Sequence, residues 1–104
     1  MPVQGNRGLY RPMLDFTWDR DKAAANLRKH GVDFAEAATA FSDPLSIAIP
    51  DPDHSQDEPR WLLVGQSKLN RLLVVAHTEG RGEIRIISAR RATRHERQVY
   101  EEEP

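Results

Sequence analysis

Residues 60–91 read RWLLVGQSKLNRLLVVAHTEGRGEIRIISARR, and this stretch decides the fold. Its middle, Arg71–Thr78 (RLLVVAHT), is apolar on both faces and predicts a central strand. Arg60–Gln66 precedes it across the turn Ser67–Asn70, and Glu83–Ala89 follows it across Glu79–Gly82. Connections this short join antiparallel neighbours. Further upstream, Leu45–Ile49 (LSIAI) is strand-like, and the loop Pro50–Pro59 separates it from Arg60 by composition. Downstream, Thr93 and Glu96 match a capping box, starting a helix that runs to about Glu102.

The N-terminal half has a different period. Leu14–Trp18 (LDFTW) alternates and predicts a short strand. Asp19 then suits an N-cap, Ala23, Ala24 and Leu27 share a helical face, and Gly31 suits the helix end. Asp33 and Glu36 match a second capping box, ahead of a buried stripe of Phe34, Ala37, Ala38 and Phe41. That helix ends before Asp43-Pro44. The order β–α–α–β–β–β–β–α predicts an α+β domain. Two helices cover one sheet face, and the other is left for a ligand groove flanked by the last helix. Residues 13–104 form this single domain, and the Gly-, Pro- and Arg-rich residues 1–12 predict an extended tail, with Met13 an alternative start.

The chain has 104 residues and no Cys, which excludes disulfides, thiolate catalysis and Cys–zinc sites. No apolar run approaches the roughly 20 residues of a membrane span, and the N-terminus has no apolar leader core. The net charge of −1 conceals an uneven distribution: −4 over residues 1–59, +6 over 60–97 and −3 over 98–104. Twelve of the fifteen basic residues are Arg, whose planar fork suits phosphate. A basic, Arg-rich segment keeps a polyanion partner open, beside the plainer reading of a solvated face.

Three constellations carry chemistry. Alternation sends Arg85 to the face opposite Ile84 and Ile86, while Arg90 and Arg91 sit where the strand meets the last helix, a place that suits a phosphate. Arg85 could equally pair with Glu79, Glu83 or a cross-strand acid on a wet face. Trp61 could stack a base or, as a large apolar side chain opening a strand, belong to the core; Arg60 faces away from it. His77, at the end of the central strand, suits proton transfer or a structural sheet-end role. His30, His54 and His95 read as structural or peripheral, and the spacing of the four His argues against a metal site. No phosphate-binding glycine loop, GxSxG or HExxH occurs. Arg, His, Glu and Tyr on a small sheet suffice for RNA cleavage, because the RNA 2′-hydroxyl is itself the nucleophile.

The segments Phe16-Thr17-Trp18-Asp19 with Lys22, Asn26 with Lys29-His30-Gly31-Val32-Asp33-Phe34, Glu58-Pro59-Arg60-Trp61, Leu72–Thr78 and Ile84–Thr93 with Glu96, Arg97, Tyr100 and Glu101 resemble the BrnT toxins. The resemblance covers residues 14–102. It implies a RelE-like α+β fold, with two N-terminal helices on a four-stranded, mainly antiparallel sheet and a C-terminal helix. It also implies a cytoplasmic, metal- and cofactor-independent endoribonuclease toxin of a type II toxin–antitoxin system. Such a toxin inhibits translation and is neutralised by a ribbon–helix–helix antitoxin. The complex contacts operator DNA through the antitoxin and represses its own operon, as a hetero-oligomer or with a toxin homodimer. Carried over by position, Arg60, His77, Arg85 and Arg90 are the catalytic candidates, with Glu58 and Tyr100 behind them. Arg91, Arg94, Trp61 and Arg71 complete the RNA-binding set. Pro59 departs from the family pattern, which often has a second polar residue there. The alternative function is an inactive toxin-like module that serves only as antitoxin partner and co-repressor.

Overall fold

A computed structural model describes residues 15–102. The expected tail, the alternative start at Met13 and Leu14 lie outside the described residues. The elements are β1 (Asp15–Trp18), α1 (Arg20–His30), α2 (Phe34–Thr39), β2 (Ile47–Pro50), β3 (Trp61–Gln66), β4 (Leu72–Gly80), β5 (Glu83–Arg91) and α3 (Arg94–Glu102). Short 3-10 turns cover Ala40–Ser42 and Pro52–His54.

Among the described residues the strands form one five-stranded sheet in the order β1-β5-β4-β3-β2. β4 is flanked on both sides, as its unbroken apolar run requires. Three of the pairings are antiparallel, but β1 lies parallel to β5, Phe16 opposite Ile84 and Trp18 opposite Ile86. The expected four-stranded sheet is therefore corrected to a mixed sheet of five. Local sequence shows that β1 is a strand, but its partner lies 68 residues on, and local pattern carries no such information. The β4–β5 turn is also tighter than expected. Only Arg81 and Gly82 leave the ladder, with φ of 56° and 77°, the positive pair that a type I′ hairpin needs.

Both N-terminal helices pack on one face. Phe34, Ala37 and Ala40 meet Leu63, Leu73, Val75, Ile84, Ile86 and Ala89, with Phe16 and Phe41 alongside. α1 begins at the Asp19 cap, whose carboxylate accepts from the Lys22 amide at 2.9 Å, and ends at Gly31 with φ 70°. The apolar stripe expected on α1 is displaced: Leu27 is exposed, and the inward line is Ala23, Asn26 and His30. The capping box at the start of α2 is only half formed. Asp33 accepts from the Ala35 amide at 2.8 Å, but Glu36 turns into the core and pairs with Arg71 and Ser67. The box that does close is the later one, with Thr93 and Glu96 exchanging side-chain-to-amide bonds at 2.8 and 3.2 Å.

On the opposite face α3 covers a smaller cluster of Val64, Leu72 and Val74, joined by Leu62, Ala92 and Tyr100. The Tyr100 hydroxyl donates to Asp43. That bond, with partial burial, pushes the phenol up to about 12, so Tyr100 remains a donor and ties α3 to the entry of β2. Close approach also shapes β3: a Cβ at Gly65 would lie 2.7 Å from the Ala40 carbonyl, so only glycine lets the 3-10 turn sit there. Among the described residues no helix is long and apolar enough to cross a membrane.

Candidate active site

α3 covers only one end of its face. At the other end the loop 51–60 and the β4–β5 hairpin wall a groove. It has two adjoining lobes of about 360 and 370 Å³ that share Glu58 and Thr78. The first lobe is lined by Arg60, Ile87 and His54, and the second by Arg85, Thr17 and Arg81.

Arg85 and Arg90 are five apart, so strict alternation would place them on opposite faces. A bulge in β5 alters the count. Ala76 pairs with Ser88 and His77 with Ile86, which leaves Ile87 as the extra residue. Ile84 and Ile86 before the bulge and Ala89 after it all enter the helix-covered core. Arg85, Ile87 and Arg90 therefore share the open face.

Within that face the two guanidiniums differ. Arg85 is exposed, and among the described residues it has no ion-pair partner, so the alternative pairing with Glu79 or Glu83 does not form. Arg60 lines the first lobe, and its Nε is buried with no hydrogen-bond partner. A buried donor left unpaired costs about 1–3 kcal/mol. Arg90 is engaged: its two terminal nitrogens each donate to Glu96 at 2.8 Å. It stands roughly 15 Å from Arg85 along the strand at about 3.3 Å per residue.

This bidentate pair makes acid a probe of α3. The Arg90 hydrogen bond, reinforced by the Thr93 amide and opposed by burial, holds Glu96 at about 2, below its ordinary 4.5. The folded value is the lower one, so the pair's full contribution is present above about pH 4.5 and is lost as pH falls toward 2. After allowance for solvent screening it is worth about 1 kcal/mol. Glu96→Gln is expected to be less stable than wild type at pH 7 by that amount and to converge with it near pH 2 in urea titrations. A constant gap across this range would rule the pair out.

The other candidates are placed elsewhere. His77 is fully buried on the helix-covered face, edge-on to Phe41 at 4.8 Å, with Nδ1 3.3 Å from the Val75 carbonyl and Nε2 3.0 Å from Glu79. Its neighbour Thr78 takes the groove position instead. Trp61 pairs across the strands with His77 on that same far face and is half-buried. Arg71 joins the start of β4 to α2 through Glu36 and donates to the Gly31 carbonyl at 3.0 Å. Arg91 lies opposite Leu73, within electrostatic range of Glu36, and Arg94 is exposed at the start of α3. The groove thus gathers Arg60, Arg85 and Glu58, and leaves out His77, Trp61, Tyr100 and Arg71. It adds His54 and Thr78, which sequence did not single out. Thr78 differs from His77 only in phase, which sequence cannot set without knowing which face the helices cover.

The comparisons with known proteins agree with this architecture. The family model described as the ribonuclease toxin, BrnT, of type II toxin–antitoxin systems matches residues 18–96. The crystal structure of the Brucella abortus ribonuclease toxin BrnT aligns with a TM-score of 0.63 and 24% identity, covering 79% of this chain and 100% of that one. At that identity the likeness speaks for the fold. No curated protein matches. The family match runs from the end of β1 to the start of α3 and takes in every groove residue named above but Thr17, and on that extent the chain belongs to the family of BrnT ribonuclease toxins of type II toxin–antitoxin systems.

Proposed function

We propose that this chain is a metal-independent endoribonuclease that cleaves RNA in the groove between the loop 51–60 and the β4–β5 hairpin. The observation that carries the reading is the pair of unengaged guanidiniums there, Arg60 with its orphaned buried Nε and Arg85 without an ion-pair partner among the described residues. RNA cleavage needs little else from a protein. The 2′-hydroxyl attacks the adjacent phosphorus, and preorganised cations offset the charge that develops on the phosphorane. Arg60 and Arg85 fill that role. Glu58 stands between them as a further polar contact. His77, Arg90 and Tyr100 support the site from behind and from α3. The acidic residues of the rim, Asp53, Asp57 and Glu83, disfavour unspecific polyanion binding, so affinity is concentrated where a phosphate meets the arginines.

In this reading cleavage stops translation in the cytoplasm. A ribbon–helix–helix antitoxin neutralises the toxin, and the complex represses its own operon. Purified chain is expected to cleave RNA equally with and without EDTA. Arg60→Ala should lower that rate at least about 100-fold. It should not lower the melting temperature, because the orphaned Nε is removed with the side chain. Intact RNA from wild type would overturn the reading.

One observation favours a second reading, a co-repressor without catalysis: Glu96 occupies Arg90, and His77 is buried. It predicts operator binding with the antitoxin but no growth arrest when this gene is expressed alone.

A further inference from the structure

The loop over the first lobe is fixed to Arg60, the residue just ahead of β3. The Asp51 amide donates to the Arg60 carbonyl at 2.8 Å. The Ser55 hydroxyl donates to the Asp51 carbonyl at 2.7 Å and accepts from the Arg60 amide at 2.8 Å. Between these anchors the 3-10 turn Pro52–His54 is held beside Arg60. Within it, His54 Nδ1 lies 3.0 Å from Asp51 Oδ2. The Asp51 side chain is 15% exposed and the His54 side chain 61%, so the carboxylate is packed while the ring stays open to the groove. A carboxylate on Nδ1 selects the tautomer that leaves Nε2 as a proton acceptor and fixes the ring's orientation.

We propose that His54, oriented by Asp51, takes the 2′-hydroxyl proton in RNA cleavage, at the phosphate bound by Arg60. This rests on the ribonuclease reading above. Neutral His54 accepts the proton at Nε2 as the 2′-oxygen bonds to phosphorus and the bond from phosphorus to the 5′-oxygen breaks. The departing oxygen takes a proton from water, and the imidazolium returns its proton to solvent. The products are a 2′,3′-cyclic phosphate and a 5′-hydroxyl. Asp51 is a positioning residue, since it touches the ring and not the RNA. His54 is the histidine of the groove wall, whereas His77 faces the helices and is fully buried. The charged groups around His54 are Asp51, Asp53, Asp57, Glu58 and Arg60.

The test is kcat and KM for an RNA oligonucleotide from pH 5 to 9, on wild type, His54→Gln, Asp51→Asn and Arg85→Ala. Wild type is expected to lose kcat toward acid, giving an acid limb, because only the neutral ring accepts the proton. His54→Gln should lower kcat about 100-fold, keep KM within about twofold and abolish that limb. Asp51→Asn should lower kcat about 10-fold and keep the limb. Circular dichroism should show every variant folded. His54→Gln with wild-type kcat and an unchanged limb, beside an inactive Arg85→Ala, overturns the assignment and leaves the ribonuclease reading standing. A change in KM alone also overturns it. Wild type that cleaves nothing overturns both.

Discussion

Arg85→Ala is expected to lower RNA cleavage about 100- to 1,000-fold, the range seen when one preorganised donor to a developing oxyanion is removed. The same variant should melt within a degree or two of wild type. Arg85 is exposed on the open face, and among the described residues no carboxylate depends on it, so its removal strands no buried group. Arg85→Lys should recover only part of the rate. It restores a positive charge but not the planar fork that meets two phosphate oxygens at once. Cleavage by Arg85→Ala within about threefold of wild type would remove Arg85 from the transition-state contacts. Arg90 makes the contrast useful. It shares the face, but its guanidinium is held by Glu96, so its first contribution is to dock α3.

The largest effect on stability is expected at Asn26. β1 stops opposite Ile86, and beyond it, among the described residues, the edge of β5 has no strand neighbour. The Asn26 amide takes the place of one. Its oxygen accepts from the Ala89 amide at 3.1 Å, and its nitrogen donates to the Ala89 carbonyl at 2.8 Å and the Val32 carbonyl at 3.0 Å. One buried side chain therefore fastens α1 to β5 just past the bulge and to the segment that opens α2. Asn26→Ala leaves an amide and two carbonyls buried and unpaired, and is expected to cost about 3–5 kcal/mol in urea unfolding. Against a typical domain stability of about 5–15 kcal/mol, such a variant sits close to unfolding at growth temperature. A cost below about 1 kcal/mol would mean that water or another donor replaces the amide. Asn26→Asp should also destabilise, because it keeps the acceptor but loses both donated bonds and buries a carboxylate.

Much of the element list was legible in sequence because local chemistry determines it. The Asp19 cap and Gly31 bracket α1, Thr93 and Glu96 start α3, and the two-sided apolar run of Leu72–Ala76 could only be a central strand. The structural role of Asn26 was not legible. A polar residue inside a buried helical stripe looks like solvent-facing surface until Ala89, 63 residues away in sequence, is in place beside it. Glu36 misled for the same reason: its spacing from Asp33 fits a cap, but Arg71 offers a stronger partner across the core.

Sequence by itself determined the α+β order, the strand phase that turns Arg85 away from Ile84 and Ile86, and the segments on which family membership rests. Only the tertiary structure decided which charged side chains share a surface. The parallel pairing of β1, the bulge at Ile87 that returns Arg90 to the face of Arg85, the inward turn of His77 and the fold of the loop that sets His54 beside Arg60 all depend on contacts distant in the chain. Periodicity assigns a residue to one of two faces. Which face is covered, and where a bulge resets the count, depends on the packing of whole elements.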